Sequence, residues 1–195
     1  AFYANVKYRF SDRGSLTLQF SRMDYTQQIA GGLTDKMFEA DPRQSNRGRN
    51  FFSPKINVPA MIWDYALGVD TRLQVTANGI WGERSSVQFI NTANINDTIN
   101  TAIKSYNPRQ VDRDFYGGVT LEAKILHRYS IGSIRSALAG GIRASRQTTD
   151  RQQKGRGTTG SDYDLALTAP YGINLKFHTT NFAAFIENQF KLSER

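Results

Sequence analysis

Guanidinium groups dominate the side chains that could do chemistry in this 195-residue sequence. Arg43, Arg47, Arg49 and Lys55 share one polar stretch. Arg84 is followed by Ser85, Ser86, Gln88 and Asn91. Arg109 and Arg113 come next, and Arg146, Arg151, Lys154 and Arg156 form a third group. Arginine's planar fork matches a carboxylate bidentately, and such charge-assisted hydrogen bonds are the stronger kind. The chemistry on offer is therefore capture of an anion that carries carboxylates. Arg84, Gln88 and Asn91 are the leading ligand-binding candidates, joined by Arg47, Arg49, Arg151, Lys154 and Arg156. The competing role for each cation is an ion pair with Asp35, Glu39, Asp41, Asp97 or Asp150, or contact with lipid phosphates.

Catalysis has little to stand on. His127 and His178 are far apart and lack acidic neighbours at metal-ligand spacing. Asp112 and Asp114 are close, but Arg113 and Arg109 stand beside them, which reads as loop-shaping ion pairs. There is no cysteine, hence no thiol nucleophile, disulfide or thiolate metal site. "GRGTTG", residues 155–160, matches the phosphate-cradling pattern G-x-G-x-x-G. That pattern needs a buried strand before it and a helix after it. "RQTTDRQQK" before it is polar, and "SDYDLALT" after it alternates Tyr163, Leu165 and Leu167. The glycines are read instead as a tight turn in a long loop, whose amides can face an anion.

The elements that must position these residues are strands. Phe2, Ala4, Val6, Tyr8 and Phe10 alternate with Tyr3, Asn5, Lys7 and Arg9, the period-two signature of a strand with unlike faces. "SDRGS", with a glycine suited to positive φ, leads to Leu16, Leu18 and Phe20. Met61, Trp63, Tyr65 and Leu67 form the next apolar set, followed by Leu73, Val75, Ala77, Gly79 and Trp81. Phe115 to Ile125 and Leu138 to Ala144 alternate likewise, and "NFAAFIENQF" makes a seventh strand, with "FKLSER" entering a turn. Turns near 11–15, 68–72 and 129–133 are short, whereas loops near 28–56, 82–112 and 147–178 are each about thirty residues. Compact soluble domains rarely carry several such loops. Transmembrane β-barrels have this asymmetry, with short turns on one side and long loops on the other. The faces opposite the apolar ones carry Lys7, Arg9, Gln19, Gln74, Asn78, Glu122, Lys124 and Arg143. Such charges are costly in a sandwich core and solvated on the wet inner wall of a barrel.

The net charge of +8 favours an anionic partner. No apolar run approaches the ~20 residues of a transmembrane helix, and no signal peptide is visible. Both ends fall inside patterned segments and look cut, as in a fragment.

The loops "GGLTDKMFEADPRQSNRGRNFFSPKINVPA", "RSSVQFINTANINDTIN", "YNPRQVDRDFYGG" and "RQQKGRGTTGSDYDLALT" resemble TonB-dependent outer-membrane receptors of the ferric-dicitrate branch. "FAAFIENQFKLSER" resembles the F-A-E-x-x-F-x-L strand of that superfamily, with Ile186 where alanine is usual. The resemblance implies an all-β, antiparallel up-and-down barrel of about 22 strands with a plugged lumen. Residues 1–195 would be about seven of those strands, expected as an open curved sheet, with the plug domain and C-terminal strands outside the chain. It implies a transporter rather than an enzyme, in the bacterial outer membrane. Its ligand would be ferric citrate or a similar anionic iron chelate that carries its own iron, so no cofactor or protein metal site is expected. TonB would act through the plug, with lipid and lipopolysaccharide around the barrel. A passive porin-like barrel keeps the same fold. A soluble basic β-domain that binds nucleic acid would need aromatics on its basic face. Here the aromatics share the apolar face, so no nucleic-acid partner is expected.

Overall fold

A computed structural model of the chain describes residues 1–191. Strands dominate, as the alternation requires. β1 (Phe2–Ser11) and β2 (Gly14–Asp24) form the first hairpin, and β3 (Gln27–Gln28) follows. A short helix, α1 (Asp35–Ala40), begins on Thr34, whose hydroxyl accepts the Met37 N–H; this N-cap stabilises a helical turn that the strand pattern leaves out. β4 (Phe51–Ala66) and β5 (Thr71–Gln88) form the second hairpin. β6 (Ile99–Asn100) and β7 (Ser105–Tyr106) are a small separate pair. β8 (Gln110–Ile131) and β9 (Ile134–Gly157) form the longest hairpin, and β10 (Leu167–Ala169) and β11 (Ile173–Lys191) complete the sheet.

The main sheet is antiparallel throughout, in the order β1-β2-β4-β5-β8-β9, with β10 and β11 both on the far side of β9 and β3 beside β4. β1 and β11 each have one neighbour among the described residues, so the sheet is open. The all-β fragment expected from the sequence is therefore what the chain forms. The three hairpin turns fall at 12–13, 67–70 and 132–133, as expected. The long loops do not. β4 starts at Phe51, β5 runs to Gln88, β9 runs to Gly157 and β11 starts at Ile173, so the true loops are 29–50, 89–109 and 158–172. Polar strand ends were hidden from the apolar alternation that marks the strands. Gly14 also departs from expectation: it is not in the positive-φ set, and a Cβ there would lie 2.3 Å from the Phe10 ring. Close packing selects the glycine, not turn geometry. The turn expected over 192–195, and Leu192 of the strand match, lie outside the described residues.

Register decides the faces. The pairs Leu18↔Met61, Met61↔Ala77, Ala77↔Leu121, Leu121↔Ala144 and Ala144↔Phe182 run one apolar row across the sheet. The pairs Asn5↔Gln19, Gln19↔Ala60, Ala60↔Asn78, Asn78↔Thr120, Thr120↔Ser145 and Ser145↔Asn181 run a polar row on the other face. All eight charged or amide residues named above for the polar face share its parity. Some apolar side chains also stand on the polar parity: Ile56, Val58 and Ile62 of β4, Ile80 of β5, and Phe177 and Phe185 of β11, the last two opposite Thr149 and Gly141. The apolar face is bare: Ile142 is 65% exposed and Phe182 and Ile186 are each 79% exposed. Water-soluble domains rarely leave so large an apolar face uncovered. On β8 the apolar face from Val119 to Tyr129 rises about 33 Å along the strand, or about 25 Å once tilted by ~40°. That matches the height of a lipid-facing band. Aromatics sit at both margins, with Phe2, Phe20 and Trp81 at the loop end and the stacked Trp63–Tyr65 and His127–Tyr129 pairs at the turn end.

This assignment of faces makes a prediction. In lipid vesicles Ile142→Arg lowers unfolding stability by about 2–4 kcal/mol, whereas Gln147→Arg, on the polar face, changes it by about 0.5 kcal/mol. Urea titration of both variants checks it, and equal losses would overturn it.

Candidate functional site

Packing is concentrated at the loop end. The buried hydrophobic residues are Val87, Phe89 and Val111, and around them lie the buried Arg47, Arg49, Asn50 and Arg109. Here the chain has to satisfy cations without water, and it does so with carbonyls. Arg47 donates to the Ile95 carbonyl at 2.8 Å, Thr92 at 2.9 Å, Asn46 at 3.0 Å and Asn91 at 3.3 Å, and stands over the Phe89 ring. Arg49 grips both carboxylate oxygens of the buried Asp97, with Nε–Oδ2 at 2.8 Å. It also donates to the carbonyls of Asn107, Thr159 and Gly160 and lies 4.0 Å from the centre of the Tyr106 ring. Arg109 donates to the Arg49 carbonyl at 2.8 Å and the Asp162 carbonyl at 2.7 Å. Burial, and then the charge of Arg49, hold its guanidinium pKa below the usual value. These three side chains stitch all three long loops into one unit.

A different set of cations faces the open polar side. Asp114 is 3% exposed. Arg84 reaches its Oδ2 through Nε at 3.0 Å and Nη2 at 2.8 Å, and Arg151 reaches its Oδ1 at 3.0 Å. One carboxylate is thus shared by two half-exposed guanidinium groups, leaving one positive charge in excess and donors free on both. Beside them is a recess of about 200 Å³, lined by Phe52, Arg84, Ser86, Gln88, Asp112 and Gln153. Asp112 is held by the Gln110 amide and the Lys154 backbone N–H, the latter at 2.8 Å.

The backbone at Lys154 is what completes the set. Val111 pairs with Gly155, but Arg113 pairs with Gln152, so β9 carries a bulge there. Lys154 takes φ of 58° within it. A bulge re-aims the side chains beyond it. Arg151 and Arg156 have opposite parity, yet Arg151 pairs with Asp114 and Arg156 with Gln110, and those two share a face of β8. Arg84, Gln88, Arg151 and Arg156 therefore stand on one face. Lys154 is exposed at the bulge.

The other candidates lie elsewhere. Asn91 is beyond the end of β5; its side chain accepts the Thr92 N–H and its carbonyl accepts from Arg47. Arg47 and Arg49 are 4% and 5% exposed, with their donors engaged inside the loop cluster. The ion pairs expected for Asp112 and Asp114 with Arg113 and Arg109 are corrected: Arg113 instead pairs with Glu83 on the apolar-face parity, and Asp114 is the clamp of the site. Sequence reasoning missed that role because Asp114 meets Arg84 and Arg151 across strands. The glycines of "GRGTTG" are also reassigned. Gly155 and Gly157 lie in β9, where a Cβ would sit 2.8 Å from Leu167 and 2.8 Å from Val111 respectively. They let the third loop fold down on the sheet rather than make a tight turn. His127 bonds Thr71 through Nδ1 at 2.8 Å, and His178 lies within β11. Among the described residues no three His, Asp or Glu side chains are placed to share a metal ion.

No protein-family model matches the chain, and no curated protein matches its sequence. Among solved structures it is similar to the ferric citrate transporter FecA in its unliganded form, with a TM-score of 0.79 and 14% sequence identity over 98% of this chain. The chain spans about a quarter of that protein, 26% of its length. At this identity the likeness shows the fold: an antiparallel sheet of the kind that builds a large β-barrel.

Two outcomes follow for the loop cluster. Asp97→Ala strands the Arg49 charge in a buried setting, at a cost of about 3–5 kcal/mol. Trypsin should then cut in all three loops; cutting confined to 89–109 would show that the loops are independent. Asp164 accepts the Ala166 N–H and then the Thr158 hydroxyl, which hold its carboxyl below the usual 3.8. Its folded pKa is depressed, so its contribution is complete above the unfolded value and is lost as pH falls through the lower folded one. The protection factors of amides over 158–166, taken against the intrinsic exchange rate at each pH, should hold steady down to pH about 4 and fall below it.

Proposed function

We propose that the chain is part of the barrel of a TonB-dependent outer-membrane transporter, and that its polar face at the loop end takes an anionic iron chelate of the ferric citrate type. The observation that carries this is the Arg84–Asp114–Arg151 clamp, which presents unengaged guanidinium donors at the loop end of a barrel wall. The likeness to a ferric citrate transporter supports the transport reading, and the bare apolar face supports a membrane setting.

In this reading Arg84 and Arg151 act as a fork for the chelate's carboxylates. Asp114 holds both guanidinium planes in place and so removes much of their rotamer freedom before the ligand arrives. Gln88 offers a neutral hydrogen-bonding group at the recess, and Arg156 and Lys154 add positive potential at its rim, which concentrates anions there. Asp112 opposes them, and its engagement by Gln110 and the Lys154 amide tempers that opposition. Arg47 and Arg49 serve by fixing loop shape. The chain binds and passes its cargo without changing it, and the iron travels inside the chelate. Coupling to TonB belongs to a plug outside this chain.

The test is calorimetric titration of the full-length protein with ferric dicitrate. Arg84→Gln should weaken binding about tenfold, the size of one lost charged hydrogen-bonding partner. Tight binding of a sugar or a cobalamin with none of ferric dicitrate would sink the ligand assignment.

A further inference from the structure

We propose that the apolar face carries a site for one phosphate-bearing glycolipid of the leaflet on the long-loop side, built from Arg146 and the groove beside it. The proposal rests on reading this face as the lipid-facing wall of a membrane barrel. Val119, Arg146 and Thr180 form one cross-strand row on β8, β9 and β11, and Ile125, Gly140 and Ile186 form the row three steps nearer the turns. In those four rows, across all the long strands, Arg146 is the single charged side chain among the described residues. It is exposed, and none of the ion pairs among the described residues includes it.

An unpaired cation on a lipid-facing wall is costly, and the cost falls when it reaches headgroup level or meets an anion. Arg146 occupies the row nearest the loops, where its long stem can lie along apolar wall while its head reaches the interface. The wall beside it is hollowed into a groove of about 770 Å³. Small side chains at Ala77, Gly79 and Ala144 leave the space between Met61, Leu121 and Phe182, and Arg146 with Thr180 closes the loop-side rim. One row above, Thr148 and His178 add polar groups. Asp150 stands another row up, opposite Lys176, so the local balance stays positive.

The two parts of the site call for one molecule. A free phosphate would leave the groove empty, and an uncharged lipid would leave Arg146 unpaired. A phosphorylated lipid satisfies both, with one acyl chain in the groove and its phosphate on the guanidinium. Arginine's preference for phosphate forks makes that contact specific.

Native mass spectrometry of the full-length protein in detergent, titrated with bisphosphorylated lipid A, tests it. The wild type should hold one lipid, Arg146→Lys should bind more weakly than the wild type but more tightly than Arg146→Gln, which should lose about tenfold, and Ala144→Trp, which fills the groove and leaves the charge, should bind more weakly too. Dephosphorylated lipid A and phosphatidylglycerol should each bind at least about tenfold more weakly than lipid A. Equal affinity of Arg146→Gln and wild type, or of phosphatidylglycerol and lipid A, would overturn the proposal. The readout does not involve ferric citrate, so loss of the transport reading leaves it intact. A full-length protein that stays dispersed without detergent would remove the membrane reading beneath both.

Discussion

Everything here hangs on one antiparallel ladder that runs from β1 to β11. Among the described residues neither face of the sheet packs against a second layer, and the buried hydrophobic residues are Val87, Phe89 and Val111, all near the loops. What holds β4, β5, β8, β9 and β11 together is paired backbone, up to 22 residues long in β8 and 24 in β9. A ladder of that length fixes register, and register fixes which side chains share a face. The apolar rows, the polar rows and the arginine clamp are all consequences of those pairings.

The loops solve a different problem. They rise above the sheet and carry many polar backbone groups with few apolar side chains to bury. Arginine fits the need, because one guanidinium offers several donors and can satisfy carbonyls from separate segments. Arg49 bonds Asp97, Asn107, Thr159 and Gly160 at once. The cations that a composition count assigns to ligand capture are therefore divided. Those with carbonyl partners shape the loops, and those clustered at Asp114 remain available to a ligand.

The division also explains why the site is preorganised. Asp114 sits on a long strand, and its partners Arg84 and Arg151 sit on the two strands flanking it. Sites built on paired strands hold their geometry better than sites on free loops. Gly155 and Gly157 let the third loop lie close to the sheet, with Tyr163 bonded to Ser85 at 2.7 Å. The recess itself is lined by residues of β4, β5, β8 and β9, and the fastened loop packs on the opposite face of those strands, the parity of Ser85 and Val111.

The sequence by itself determined the fold class, the hairpin turns and the chemistry of both faces, because period-two alternation is local and survives without any partner. It named Arg84 and Gln88 as candidates but read both as lying in or beside a loop, and the extension of β5 to Gln88 is what sets them on one face. It did not fix where the strands end. Polar strand ends such as "RSSVQ" and "DRQQKGRG" continue by pairing rather than by pattern. Only the tertiary structure decided which arginines are buried, because that depends on carbonyls from loops about 50 to 110 residues away in the chain. It alone brought Arg151 and Arg156 to the same face. Strict alternation puts residues five apart on opposite faces, and the bulge at Lys154, anchored by Asp112 from the neighbouring strand, cancels one step of that alternation.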